Sequence, residues 1–211
     1  QLAFASHATD AYTKALSSVP FAAGDVILTT DDDYVSNYLN FLSLRQRFGI
    51  RIVRARNLDN GDLDLGHFRQ MIKQHHPRLV AVTHIPTSSG LVQDAAAVGE
   101  LCRESGSLYL LDACQSVGQI PVDVQQIGCD FLSATGRKFL RGPRGTGFLY
   151  VSERVLQEKY APLFVDLRGA RWMAGDDYDL VSHAQRFEAW EVPYALLLGL
   201  REALAYARQV G

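Results

Sequence analysis

What the chain lacks narrows its class before any motif is weighed. No apolar run in its 211 residues is long enough to cross a bilayer, for which a helix needs about 20 consecutive apolar residues. The N-terminus carries none of the basic, apolar and cleavage regions of a secretory signal. The expected compartment is therefore the cytoplasm, with no membrane partner. Neither charge sign is in excess, 21 Lys and Arg standing against 23 Asp and Glu, so nothing in the bulk charge supports nucleic-acid binding. Cysteine is scarce: Cys102, Cys114 and Cys129 have no C-x-x-C spacing, and buried thiols are expected rather than disulfides or zinc ligands. No metal site is expected. His84 follows an apolar run and reads as a core histidine, His75 and His76 read as an exposed turn, and Asp31 to Asp33 read as a solvent-facing acidic turn. The glycines of 142–147 match neither G-x-x-x-x-G-K-[ST] nor G-x-G-x-x-G, which argues against a nucleotide loop. Internal repeats and low-complexity tracts are also absent from the sequence.

What is present is an apolar content of 47%, enough for a large core, arranged as an alternation of strand and helix. Strands are expected at 1–5, 26–29, 50–54, 78–85, 107–112 and 147–151, with a further apolar strand from Phe131 giving way to the turn that carries Lys138. Between them the periodicity predicts helices from Thr9, the expected N-cap, to about 17, from Ser36 onward, and over 66–74, 94–104 and 153–159. That order implies an α/β fold with a mostly parallel, doubly wound sheet. The segment 162–185 reads as an irregular connection, longer than ordinary loops. A last helix is expected over 193–209, with Leu196, Leu197, Leu200 and Leu204 as its apolar stripe.

Lys138 sits where an apolar strand gives way to a glycine-rich turn, with Ser133 and Thr135 before it, Arg137 beside it, and Arg141 and Arg144 after it. A cationic turn of this kind implies an anionic ligand. The apolar run Ser107-Leu-Tyr-Leu-Leu-Asp112 ends in a carboxylate, with Gln115 just beyond it; in an open parallel sheet that is a ligand-binding position. The loops at Ala8-Thr9, Tyr34, Thr87, Asp112-Gln115 and Thr135-Lys138 then converge on one crevice. A helix N-terminus behind Ala8 and Thr9 offers N–H groups to a phosphate. A lysine with a lowered pKa can form an imine with an aldehyde, a buried carboxylate can hold a proton on a pyridine nitrogen, and a tyrosine ring can stack on that pyridine. Together these requirements point to pyridoxal 5'-phosphate.

The motifs Asp112-Ala-Cys-Gln115, Pro121-Val-Asp-Val124, Cys129-Asp-Phe-Leu132, Ser133-Ala-Thr-Gly-Arg-Lys138 and Gly142-Pro-Arg-Gly-Thr-Gly-Phe-Leu-Tyr150 occur in that order. In them the chain resembles the class V aminotransferase family of fold type I pyridoxal-phosphate enzymes, which also holds cysteine desulfurases, selenocysteine lyases and isopenicillin epimerase-like proteins. The resemblance runs from about Ser6 to Glu191. It implies that Lys138 is the Schiff-base lysine and proton shuttle, that Asp112 pairs with the pyridine nitrogen, and that Gln115 faces the ring's phenolic oxygen. Thr9, the Ala8 backbone and Thr135 would hold the phosphate. Arg137, Tyr34 and Thr87 stand where desulfurases usually have a histidine, a stacking histidine and often an asparagine, which moves the expectation toward an aminotransferase-like enzyme acting at the α-carbon of an amino acid. A cysteine desulfurase or C–S lyase is the alternative within the family; a non-catalytic remnant and a nucleotide-binding module are the alternatives outside it. Arg186 would contact the substrate carboxylate. The resemblance further implies a homodimer in which 162–172 reaches the neighbour's phosphate. It divides the chain into a cofactor-binding large domain, 1–185, and a helix, 186–211, leading toward a small domain. Relative to the family, the N-terminal arm, the small domain and the desulfurase nucleophile are expected outside this sequence.

Overall fold

Five-residue runs with every side chain buried require cover on both faces, and four strands have that pattern: β2 (Val26–Thr30), β4 (Leu79–Thr83), β5 (Leu108–Asp112) and β6 (Phe131–Thr135). Such strands belong in the middle of a parallel sheet. The computed structural model, which describes residues 1–210, places them there. With β1 (Leu2–Ala5), β3 (Arg51–Ala55) and β7 (Gly147–Val151) they form a seven-stranded sheet in the order β1-β7-β6-β5-β4-β2-β3. The run from β3 to β6 is parallel, while β7 is antiparallel to both β6 and β1.

Alternate residues of each strand feed two cores. On one face, Ile27, Ala81, Leu110 and Phe131 pack with Tyr12 and Leu16 of α1 (Ala8–Ser18) and Phe41 of α2 (Val35–Phe48). On the other, Leu28, Val82, Tyr109 and Leu132 pack with Phe68 of α3 (Leu65–His75) and Val98 and Leu101 of α4 (Ala95–Ser105). Chain direction across the sheet reverses between β2 and β4, so the carboxyl ends of β2, β4, β5 and β6 open onto one crevice at the switch point.

Helix starts differ from the sequence expectation in two places. The cap of α1 is His7 rather than Thr9: the His7 Nδ1 accepts from the Asp10 N–H at 3.0 Å. Ser36 lies inside α2, whose cap is Tyr34 without a side-chain bond. There the preceding Asp33 takes the Tyr34 N–H at 2.7 Å, a role that a cap side chain would otherwise fill.

A short helix α5 (Val124–Ile127) lies between β5 and β6, and α6 (Glu153–Gln157) follows β7. The segment read as an irregular connection contains a hairpin, β8 (Ala170–Met173) paired antiparallel with β9 (Asp177–Leu180). Its strands alternate charged with aromatic residues and are exposed, so no apolar run announced them. In α7 (Tyr194–Val210) only part of the expected stripe is used. Leu200 is buried, whereas Leu204 is 40% exposed.

Gly99 of α4 permits a close approach of two backbones. A Cβ there would lie 1.7 Å from the Ile127 carbonyl oxygen and 2.9 Å from its carbon. Gly99→Ala must push α4 off α5, and the expected loss is about 3 kcal/mol or more. Thermal or urea unfolding measures it, and an alanine variant as stable as the wild type would show that the two backbones are not in contact.

Candidate cofactor site

The crevice holds a cavity of about 310 Å³ lined by His7, Ala8, Thr9, Tyr34, Asn37, Thr83, Thr87, Asp112, Cys114, Gln115, Thr135, Arg137, Lys138, Arg144 and Gly145. All nine residues expected to contact a cofactor are among them.

Asp112, the last residue of β5, is 5% exposed. Its Oδ1 accepts from the Cys114 N–H at 2.9 Å and its Oδ2 from Asn37 Nδ2 at 2.9 Å. Burial pushes the Asp112 carboxyl up, and these two donors together with the Lys138 charge oppose that rise. A buried carboxylate with a donor on each oxygen and free lone pairs is suited to receive one more donor from the cavity.

Lys138 follows β6 in a turn closed by the Arg141 N–H on the Lys138 carbonyl at 2.9 Å and the Gly142 N–H on the Gly136 carbonyl at 2.7 Å. Arg141 takes a positive φ of 58° in that turn. The Cys114 thiol lies beside Lys138. Burial and the Asp112 charge push it up, while Lys138 pulls it down, so it remains protonated at neutral pH. Cys102 and Cys129 are buried thiols as expected, but Cys114 is half-buried and faces the cavity.

At the opposite wall α1 begins. Gly147 admits it, since a Cβ on Gly147 would stand 2.7 Å from the His7 carbonyl carbon. Ala8 and Thr9 therefore reach the cavity with first-turn N–H groups that have no intrahelical partner. Arg137 and Arg144 are exposed on the rim, and among the described residues no carboxylate lies within 4.0 Å of either. Gln115 Nε2 donates to Thr87 Oγ1 at 2.8 Å, which leaves the Thr87 hydroxyl proton to give elsewhere. Thr135 lines the cavity, but its hydroxyl donates to the Thr146 carbonyl at 3.1 Å, so toward an anion it has no proton free in this arrangement. Tyr34 is 45% exposed on the rim.

Two expectations are corrected. Arg186 is not in the cavity. It is 2% exposed and sits in a short 3-10 turn (Ala184–Phe187). Its guanidinium donates to the carbonyls of Val181, Leu156 and Tyr160 at 3.0, 3.3 and 3.1 Å, so it ties down the chain instead of meeting a substrate. The acidic turn is not wholly solvent-facing: Asp31 is exposed, while Asp32 and Asp33 are half-buried, and Asp33 is the more heavily bonded. It accepts from Thr29 at 2.6 Å, Thr83 at 2.8 Å and Asn37 at 3.2 Å. Burial pushes its carboxyl up to about 6, against the pull of those hydrogen bonds. His84, by contrast, is a buried histidine bonded to Ser116 at 3.0 Å, as read from the sequence.

Six cavity residues were not foreseen: His7, Asn37, Thr83, Cys114, Arg144 and Gly145. Cys114, Arg144 and Gly145 lie inside the motifs already singled out. Asn37 and Thr83 carry no local signal, because helix phase and strand register bring them to the cavity.

Known proteins agree with this geometry. The family model described as Aminotransferase class-V matches residues 1–211. The chain belongs to the class-V aminotransferase family. It is 34% identical over its whole length to a probable cysteine desulfurase of Methanothermobacter thermautotrophicus, covering 52% of that protein. Against a probable cysteine desulfurase of Pyrococcus abyssi it is 31% identical over 90% of its length, covering 47% of the relative. The chain thus spans about half the length of the curated relatives it matches. Among solved structures, the apo cysteine desulfurase of Thermococcus onnurineus superposes with a TM-score of 0.91 at 27% identity, all of this chain on 52% of that one. A variant of C-DES with glycine covalently linked to its PLP cofactor gives 0.88 at 25% identity, covering 56% of that chain. The fold is accordingly the mostly parallel sheet of class-V, fold type I enzymes, a group whose cofactor is pyridoxal 5'-phosphate. The donor set fits that group: an amine at Lys138, a buried acceptor at Asp112, helix N–H groups with Arg137 for the phosphate, and an aromatic ring at Tyr34.

Proposed function

We propose that this chain is the cofactor-binding part of an enzyme acting at the α-carbon of a sulfur-containing amino acid, with cleavage of its carbon–sulfur bond. The observation that carries the reading is the placement of Lys138 and Asp112 on one cavity, at the ends of adjacent strands β6 and β5. The choice of a sulfur substrate rests on the relatives named cysteine desulfurase and on the neighbour C-DES, a cystine C–S lyase.

When bound, pyridoxal phosphate supplies an electron sink that acidifies the α-carbon of the substrate. The chain's own residues do the rest. Asp112 would hold a proton at the ring nitrogen and keep the ring electron-poor. The Ala8 and Thr9 N–H groups and Arg137 would anchor the phosphate. Gln115 and Thr87, bonded to each other, would face the ring's phenolic oxygen, and Tyr34 would cover one face. Lys138, on the cavity wall, would hold the aldehyde carbon through its amine and serve as the acid–base group for the proton at the α-carbon. We assign 1–185 to the large domain and 186–211 to the connection toward a small domain. We also assign a homodimeric state, in which the exposed apolar side chains Leu163, Phe164, Leu167 and Trp172 meet the second subunit. No helix among the described residues is long and apolar enough to span a membrane.

The second reading is aminotransferase-like chemistry, favoured by Arg137, Tyr34 and Thr87 at positions where desulfurases differ. Product analysis separates the two. With cofactor, L-cysteine and an added thiol that accepts the sulfur, the expected products are alanine and the persulfide of that thiol; with L-cystine and water they are cysteine persulfide, pyruvate and ammonia. A keto acid formed from sulfur-free amino acids, with no sulfur released, would replace the first reading by the second.

A further inference from the structure

Asn37 is 1% exposed at the start of α2, and its single amide nitrogen serves two carboxylates. Nδ2 donates to Asp112 Oδ2 at 2.9 Å and to Asp33 Oδ1 at 3.2 Å. A carboxamide has one donor end and one acceptor end, and its orientation is set by its partners. With the oxygen turned toward Asp112, two acceptors would face each other and the carboxylate would be pushed off its position. Asp33 prevents that turn. It is itself immobilised by donors only: Thr29 Oγ1 at 2.6 Å on Oδ2, and the Tyr34 N–H at 2.7 Å and Thr83 Oγ1 at 2.8 Å on Oδ1. Every partner of Asp33 gives a proton, so it can offer Asn37 nothing but an acceptor. Asp33 does not line the cavity, and Asn37 does. The buried Tyr12 hydroxyl, which has no partner and feels the charges of both Asp33 and Asp112, completes the polar surroundings below the sheet end.

We propose that Asp33 is a positioning residue which, by clamping the Asn37 amide, fixes Asp112 as the acceptor for the protonated ring nitrogen of the cofactor. The inference rests on the pyridoxal-phosphate reading of the cavity and adds to it a carboxylate that never touches the ligand. It predicts a selective defect. Removing the clamp should weaken whatever depends on a ring nitrogen and spare whatever depends on the phosphate and aldehyde.

The test is equilibrium binding, by fluorescence quenching, of pyridoxal phosphate and of its analogue with C–H in place of the ring nitrogen, to the 211-residue chain. Asp33→Ala is expected to weaken the natural cofactor about tenfold, the scale of a hydrogen bond to a charged group, and to leave the carbon analogue within about twofold. Asp33→Asn keeps an acceptor oxygen for Asn37 and should restore most of the loss. Equal weakening of both ligands, or of neither, overturns the proposal. Should Asp33→Ala not fold, Asn37→Ala removes the bridge directly, and unchanged selectivity in that variant overturns the proposal as well. A wild-type chain that does not prefer pyridoxal phosphate to the carbon analogue would refute the cavity reading itself, a result distinct from failure of the clamp.

Discussion

Lys138→Ala is expected to abolish borohydride-stable attachment of pyridoxal phosphate and to lower turnover by about 10³-fold or more, the combined effect of losing a nucleophile and a general acid–base group. The sequence makes this test unusually clean, because Lys14, Lys73, Lys138 and Lys159 are its only lysines. Lys14 pairs with Asp10 on α1 at 3.4 Å, Lys73 is exposed on α3, and Lys159 is exposed in a turn with φ of 59°. None of those three lines the cavity. Reduction of the wild-type chain with cofactor, followed by peptide mass mapping, should place the adduct on Lys138 alone. Label spread over Lys14, Lys73 and Lys159, or full labelling of the alanine variant, would remove Lys138 from its assigned role.

Asp112→Asn is expected to reduce cofactor affinity by about two orders of magnitude. The variant keeps the shape of the side chain but loses its charge, and it presents Asn37 with an amide in place of a second acceptor. A charge-assisted hydrogen bond lost in a buried site is worth about 2–3 kcal/mol. Turnover at saturating cofactor should fall further, because a ring nitrogen that is no longer held protonated is a poorer electron sink. Asp112→Glu, with its carboxylate displaced by one methylene, should recover part of the affinity and less of the rate. Binding and rate within twofold of wild type in Asp112→Asn would mean that the carboxylate serves only as the acceptor for Asn37 and the Cys114 N–H.

These two residues could be found without a structure because their signals are local. Asp112 ends an apolar run that only a doubly covered strand can use, and Lys138 follows another such strand into a turn rich in glycine and arginine. The same locality explains why β2, β4, β5 and β6 were legible as strands. Burial on both faces leaves continuous apolar runs, and helices separate them at the lengths that parallel crossovers need. The hairpin β8–β9 left no such trace, since its strands bury little and their pairing is decided across a turn.

Arg186 shows where local reading fails. The family resemblance implied a carboxylate partner for it, yet three backbone carbonyls from separate stretches of chain converge on it, and no sequence pattern announces carbonyls. Thr135 is similar: its type and position suited an anion, but the pairing of β6 with β7 brings the Thr146 carbonyl to its hydroxyl. Asp33 looked like one of three solvated acids and became the acceptor for four donors because β4 and α2 bring Thr83 and Asn37 to it.

The sequence by itself determined the class of sheet, the lysine, the buried carboxylate at the end of β5, and the loops that carry the cavity wall. Composition, periodicity and turn chemistry act within a few residues along the chain. Only the tertiary structure decided which hydroxyl keeps its proton, which arginine is sealed in the frame, and that one asparagine amide joins Asp33 to Asp112. Hydrogen-bond partners 49 and 75 residues apart are chosen by strand register and helix phase, not by neighbours in sequence.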